Sequence, residues 1–458
     1  MTRMASRRVT SFLCVFAAAA STAGNALAQS EKLPPIRPLS PVEHASKELL
    51  GAVSQVRALP GGRVLVNDNA GRKLVLFDPT LAQFSIVADT TSATANAYSS
   101  RAAGIIQYKG DSTLFVDPTS LSMLVIDGTG KVTRVMSVPR PNEANALIGG
   151  PNGTPGFDAL GRLVYRAPAQ FAMRGLGADG KMALPTFPDS QALVRIDLAS
   201  RAVDTLGFVK VPKINMSMTQ DANGRMSISS MTNPMPVTDD WAVTSDGRVA
   251  LVRGLDYHID WIQGAERHST AKIPFAWRHL DDSTKVAFLD SAKTAAEKLR
   301  EQAQARMAAG GTGPILGGPP AGGAAGGGDR VMVEFKVGGR DEAPARPNAA
   351  GANTTFTLPP IQMVAPSELP DYAPPFTTGS TRGDMEGNLW VRTSNVVNGG
   401  SVYDVINTKG ELVDRILVPA GRVISGFGIG GVVYMGVRET SGVRLEQARR
   451  NQVMGTQR

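Results

Sequence analysis

The chain has 458 residues, of which 42% are apolar and 6% aromatic, with a formal charge of +8 and one cysteine. The charge is spread along the chain, with no basic block interleaved with aromatics, which argues against nucleic-acid binding. The lone Cys14 excludes a disulfide framework, and removal of an N-terminal leader would leave neither a thiol nucleophile nor a thiolate metal site.

Residues 1–28 have the pattern of a cleavable export signal. Arg3, Arg7 and Arg8 precede an apolar stretch from Phe12 to Ala20, and small residues end in Ala26-Leu27-Ala28. The apolar core is too short to span a bilayer, so cleavage near Ala28 would release a periplasmic or secreted protein. The mature chain, 29–458, has no other apolar run long enough to cross a membrane and is expected to be monomeric. Its residues, about 430 in number, are ample for a core.

A tight turn containing glycine, followed by an apolar strand-like run, recurs through this region. It appears as Gly62-Arg-Val-Leu-Val66, Gly161-Arg-Leu-Val-Tyr165, Gly247-Arg-Val-Ala-Leu251 and Gly387-Asn-Leu-Trp-Val391. Looser copies start at Gly110 and Gly430. A second run follows each, often ending in Asp or Asn, as in Lys73–Asp78 and Ser122–Asp127. β-Branched and aromatic residues between Gly, Asp and Asn punctuation are strand chemistry. The turn glycines are separated by 48, 51, 86, 140 and 43 residues; the short intervals suit one four-stranded propeller blade. Small residues at Gly51-Ala52, Ala103-Gly104, Gly156, Ala242, Gly379 and Gly426 suit innermost strands crowded at an axis. The fold expected is all-β: a six-bladed β-propeller with one helical and Gly-rich insertion. Its sixth unit has only three strands, so an N-terminal strand around Leu33–Leu39 is expected to close the last blade.

The blade wording from 63 to 78, Arg-Val-Leu-Val-Asn-Asp-Asn-Ala-Gly-Arg-Lys-Leu-Val-Leu-Phe-Asp, resembles the NHL-type six-bladed propellers. It is also similar to the senescence-marker/gluconolactonase-like group. The resemblance runs from about residue 50 to 447 outside the insertions. It implies a divalent metal near the axis, held by Glu, Asn and Asp, that would polarise a lactone carbonyl and activate water. Here the inner-strand starts are mainly Ala, Gly, Val, Ser and Thr, with Asp239 and Asp240 the acids in a comparable place.

The long segments fall at 139–153, 166–190, 213–238 and 276–374. In a propeller these positions share one rim, opposite the tight turns, where recognition is expected. Asp282–Met307 reads as an amphipathic helix capped by Asp282 or Ser283, with Val286, Leu289, Ala292, Ala296, Leu299, Ala303 and Met307 on one face. Residues 310–328 contain ten glycines and read as a flexible tether.

Asn67, Asp68, Asn69, Asp117, Asp239 and Asp240 are the candidate ligand-binding residues on that rim. Their oxygens could take Ca²⁺, although Asx residues at strand ends more often cap their own turns. No cofactor is expected, and no catalytic residue or metal ligand is assigned. His44, His258, His268 and His279 form no zinc-hydrolase spacing. Tyr257, His258 and Trp261 read as packing residues of one blade. Met216, Met218, Met226, Met231 and Met235 read as gap fillers rather than Cu(I) ligands. The functional expectation is an exported scaffold that recognises a protein, peptide or small molecule on its insertion-rich face. A metal-dependent lactonase-like hydrolase and a structural member of an envelope complex are the alternatives. Limited proteolysis of the mature protein should cut first within 310–328; resistance there would exclude the tether.

Overall fold

A computed structural model describes residues 33–91, 96–99, 102–169, 187–220, 226–308 and 361–451. The segment 1–28, the tether 310–328 and most of 166–190 lie outside the described residues, as do the side chains of Met216, Met218 and Met226. The strands below belong to one unit, Pro34–Arg458.

The recurrent turns form because a carboxylate and a glycine act together. Asp158 Oδ1 accepts the N–H groups of Leu160 and Arg162, and Asp384 Oδ1 those of Glu386 and Asn388. Gly161 and Gly387 supply the left-handed φ of 75° and 81° that closes each turn. The apolar run after the turn then pairs back as the second strand of an antiparallel sheet.

From the axis outward, blade one is Gln55–Ala58, Val64–Asp68, Lys73–Phe77 and Phe84–Asp89. Blade two is Gly104–Gln107, Thr113–Asp117, Ser122–Ile126 and Val132–Ser137. Blade three is Gly156–Phe157, Leu163–Arg166, Ser190–Ile196 and Val203–Lys210. Blade four is Asp240–Val243, Val249–Arg253, His258–Gln263 and Glu266–Ser269. Blade five is Phe376–Gly383, Leu389–Val397, Gly400–Ile406 and Leu412–Val418. Blade six contributes Arg422–Gly428, Val432–Arg438 and Val443–Arg449. The protein is a six-bladed β-propeller.

Its core lies between blades. Leu65 and Leu74 of blade one pack with Phe115 and Leu124 of blade two. Val252 and Ile259 of blade four pack with Leu389 and Val391 of blade five. Val433 and Met435 of blade six meet Trp390 and Tyr403 of blade five, and Tyr434 and Leu445 meet Val64 and Val75 of blade one.

The N-terminus closes the ring, but not with the segment expected. Ile36–Pro38 runs parallel to Leu412–Val418 as a fifth strand on blade five, while His44–Ala45 completes blade six against Val443–Arg449. The reason is hydrogen-bonding capacity. Pro34, Pro35 and Pro38 lack N–H groups, whereas Ser40, Glu43, Ser46 and Leu50 donate to Arg449, Gln447, Leu445 and Val443 along the last strand.

The long insertions partly form a satellite layer. Asn215–Gln220, Met226–Thr232 and Gln362–Met363 make a three-stranded sheet. The helix Asp282–Ala308 buries Leu289 against Val364 and Leu369, with Met231, Met235 and Met363 filling the remaining gaps. Its buried face runs through Lys285, Leu289, Ala296 and Ala303, whereas Val286 and Leu299 are exposed, so the apolar stripe is narrower than expected. Asp281, not Asp282 or Ser283, caps the helix: its Oδ1 accepts the Thr284 N–H at 2.7 Å.

Deleting 29–45 should lower the melting temperature clearly more than deleting 29–39, because only the longer deletion strips the outer strand from blade six. Equal melting temperatures for the two truncations would overturn this account of closure.

Candidate functional site

The inner strands of the six blades surround a cavity of about 510 Å³. Its wall includes Gln55–Ala58, Ile105, Gln107–Lys109, Thr154–Ala159, Ala242–Gly247, Arg382–Met385 and Ser425–Phe427. Lys109, Asp158, Asp246 and Asp384 belong to tight turns between first and second strands, so the cavity extends toward the tight-turn face. Glycine lets the wall close up. A Cβ at Gly426 would collide with the Val56 carbonyl oxygen of blade one.

At the opposite end, the connection from blade two to blade three folds across the axis. Its short 3₁₀ turns, Pro141–Leu147 and Gly150–Asn152, bring the latter against the inner strand of blade five. The Trp241 indole of blade four donates to the Asn152 carbonyl at 2.9 Å, and the Arg166 guanidinium to Asn152 Oδ1 at 2.6 Å. A Cβ at Gly149 would lie 2.7 Å from Gln55 Nε2 of blade one. The insertion expected to carry recognition on that rim is thus packed as a cap, and the cavity runs to the other face.

The six rim residues named from sequence sit on blades one, two and four, and their hydrogen bonds go largely to the backbone, with Asn67 Oδ1 buried without a partner among the described residues. Asp68 accepts the N–H groups of Gly51, Ala52 and Gly71. Asp117 accepts those of Ser99 and Thr119 and the Ser120 hydroxyl. Burial acts to raise the Asp117 carboxyl, but these hydrogen bonds outweigh it and hold it below the usual range. Asp239 makes the same join with its parts exchanged: lying on the incoming segment, it accepts the Gly254 N–H at the strand end, with Lys210 N–H and Arg253. Asn67 donates to the Ala103 carbonyl, and Asn69 Oδ1 lies 3.5 Å from the Ala103 nitrogen. Asp240 accepts the Thr381 N–H, and its carboxyl is raised by burial.

A divalent metal of the kind implied by the resemblance needs several carboxylates converging on one point with free lone pairs. The acids of this rim are tied into their own or a neighbouring blade, Asp239 to Lys210 and Asp240 to Thr381 among them, and among the described residues no three His, Cys, Asp or Glu side chains gather as a ligand set. The donor set does not fit such a metal.

Sequence reasoning missed the buried acid Asp404. Asp404, in the third strand of blade five, accepts the Tyr257 hydroxyl of blade four at 3.0 Å and lies 3.6 Å from Arg415. Burial pushes its carboxyl up to about 7, against the pull of Tyr257 and Arg415. On blade four, Tyr257 and Trp261 are core residues, as expected, whereas His258 is half-buried and pairs with Asp256; Arg248 stacks on Trp261.

No protein-family model matches the chain, and no curated protein resembles it significantly in sequence. By fold it is similar to a provisionally named exported protein from Bacteroides fragilis, at 10% identity and a TM-score of 0.40 over 93% of this chain and 97% of that one. It is similar to the calcium-binding protein regucalcin from Agrobacterium tumefaciens at 10% identity and a TM-score of 0.36, over 91% and 98% of the two chains. A provisionally named gluconolactonase matches at 13% identity and a TM-score of 0.34, over 91% and 98%. The likeness is one of fold alone.

Asp404 gives a test that needs no ligand. Its folded-state pKa lies above its unfolded value, so its contribution to stability is complete below about pH 4 and is lost as pH rises toward 7. The slope should reach at most about 1.4 kcal/mol per pH unit, and Asp404→Asn should remove it. Denaturant titrations at pH 4, 5.5 and 7 that gave both proteins the same profile would contradict this assignment.

Proposed function

We propose that the chain is an exported propeller that recognises a small-molecule ligand in its axial cavity. The observation that supports this most directly is the cavity itself, bordered by the inner strand of every blade. Its volume of about 510 Å³ falls within the range of about 300–1,000 Å³ usual for small-ligand sites. Each sheet ends at its inner strand, so one edge of that strand has no partner strand. Unpaired edge N–H and C=O groups offer polar contacts beside the apolar surfaces of Val56, Ile105, Phe157 and Phe427. The cap at Gly149–Gly153 leaves entry to the tight-turn face.

Export rests on the leader-like 1–28, and among the described residues no helix is long and apolar enough to cross a membrane.

Gln107 lines the cavity with an exposed side chain on an inner strand, so Gln107→Trp should fill the space without disturbing the core. Compounds from a metabolite panel that raise the melting temperature of the wild type should fail on this variant. Its own stability should change by only about 0.5 kcal/mol, as for other surface substitutions. Hits that shift both proteins equally would move recognition away from the axis.

A further inference from the structure

Building on the axial cavity as the binding site, we infer that the ligand is an organic anion whose carboxylate or phosphate group is held by Arg57. This side chain lines the cavity on the inner strand of blade one and reaches toward blade two. Its Nε donates to Thr113 Oγ1 at 2.8 Å and its Nη2 to the Ser112 carbonyl at 3.2 Å. Both acceptors are neutral, and Nη1 makes no hydrogen bond among the described residues.

Several guanidiniums on other blades are instead paired with a carboxylate. Elsewhere around the ring Arg162 pairs with Asp158 at 2.7 Å, Arg248 with Asp246 at 2.7 Å, and Arg253 with Asp239 at 2.8 Å. Among the described residues Arg57 has no carboxylate at that range. Burial lowers its pKa to about 10, with the charge of Asp111 offsetting only part of the effect. An incoming anion would supply the missing counter-charge, and the planar fork of a guanidinium matches the paired oxygens of carboxylate or phosphate.

The acids in the wall are already occupied. Asp158 holds its own turn and Arg162. Asp246 takes the Thr244 hydroxyl and Arg248; burial acts to raise its carboxyl, but these contacts hold it below the usual range. Asp384 accepts Asn388 and Trp390. A cationic ligand would find these oxygens engaged. Lys109, exposed on the turn of blade two and within electrostatic range of Asp197, adds positive charge at the mouth.

The test is calorimetric titration of the mature chain with citrate and, separately, with inorganic phosphate at fixed ionic strength. At least one should bind saturably, Gln107→Trp should abolish that binding, and Arg57→Gln should weaken it at least about tenfold, the loss of one charge-assisted hydrogen bond. Arg57→Lys should keep part of the affinity. Thr113→Val, which removes a support but not the charge, should lose less than Arg57→Gln; these two variants stand in if Arg57→Gln fails to fold. Absence of binding by both anions, or equal affinity in wild type and Arg57→Gln, would overturn the inference. If neutral compounds still bind the wild type and are excluded by Gln107→Trp, the cavity reading survives that outcome. If Gln107→Trp excludes nothing, the cavity reading falls too.

Discussion

Both faces of each blade are apolar, and this one constraint organises the molecule. Every residue of the second strands Val64–Asp68 and Thr113–Asp117 is buried, a pattern that a sheet with one wet face cannot have. A blade must therefore find an apolar neighbour on either side, and a ring supplies two neighbours to each. Once six twisted sheets stand around an axis, their innermost edges cannot be covered by another strand. The cavity is thus a consequence of the core packing rather than an addition to it.

The ring was legible in the sequence because its turns are local. An Asp or Asn followed within a few residues by Gly makes the same hydrogen bonds wherever it occurs, as Asp127 with Thr129 and Lys131 and Asn407 with Lys409 and Glu411 illustrate. The helix was legible from its period, although its cap and the width of its stripe were not. Those depend on Asp281 and on which residues Val364 and Leu369 cover.

What stayed hidden depends on contacts distant in sequence. Nothing local in 139–153 says that its glycines will cross the axis to meet Gln55 and Trp241. The strand-end acids illustrate the same difficulty from the other side. Carboxylates on a rim look alike in sequence whether they are free to bind a ligand or joined to the backbone, and only the positions of Gly51, Ala52, Ser99 and Gly254 distinguish the two. Arg57 gave no signal at all, because its meaning lies in the neutral partners, Thr113 and Ser112, that the next blade brings to it. Choosing between Leu33–Leu39 and Ser40–Leu50 for closure needed a count of available N–H groups along Val443–Arg449.

The joining of the first strands to the last has a kinetic side. The Arg37–Asp414 hydrogen bond spans 377 positions, the Leu445–Ser46 bond 399 and the Arg449–Glu43 bond 406. During synthesis the N-terminal segment emerges first and its partners emerge last, so blades one to five can gather locally while this register waits. Contacts of such separation carry a large loop-closure entropy and slow the final step. Until then Val443–Arg449 presents an open edge to any other strand, which makes the interval before closure the moment at which the chain is most exposed to wrong pairing.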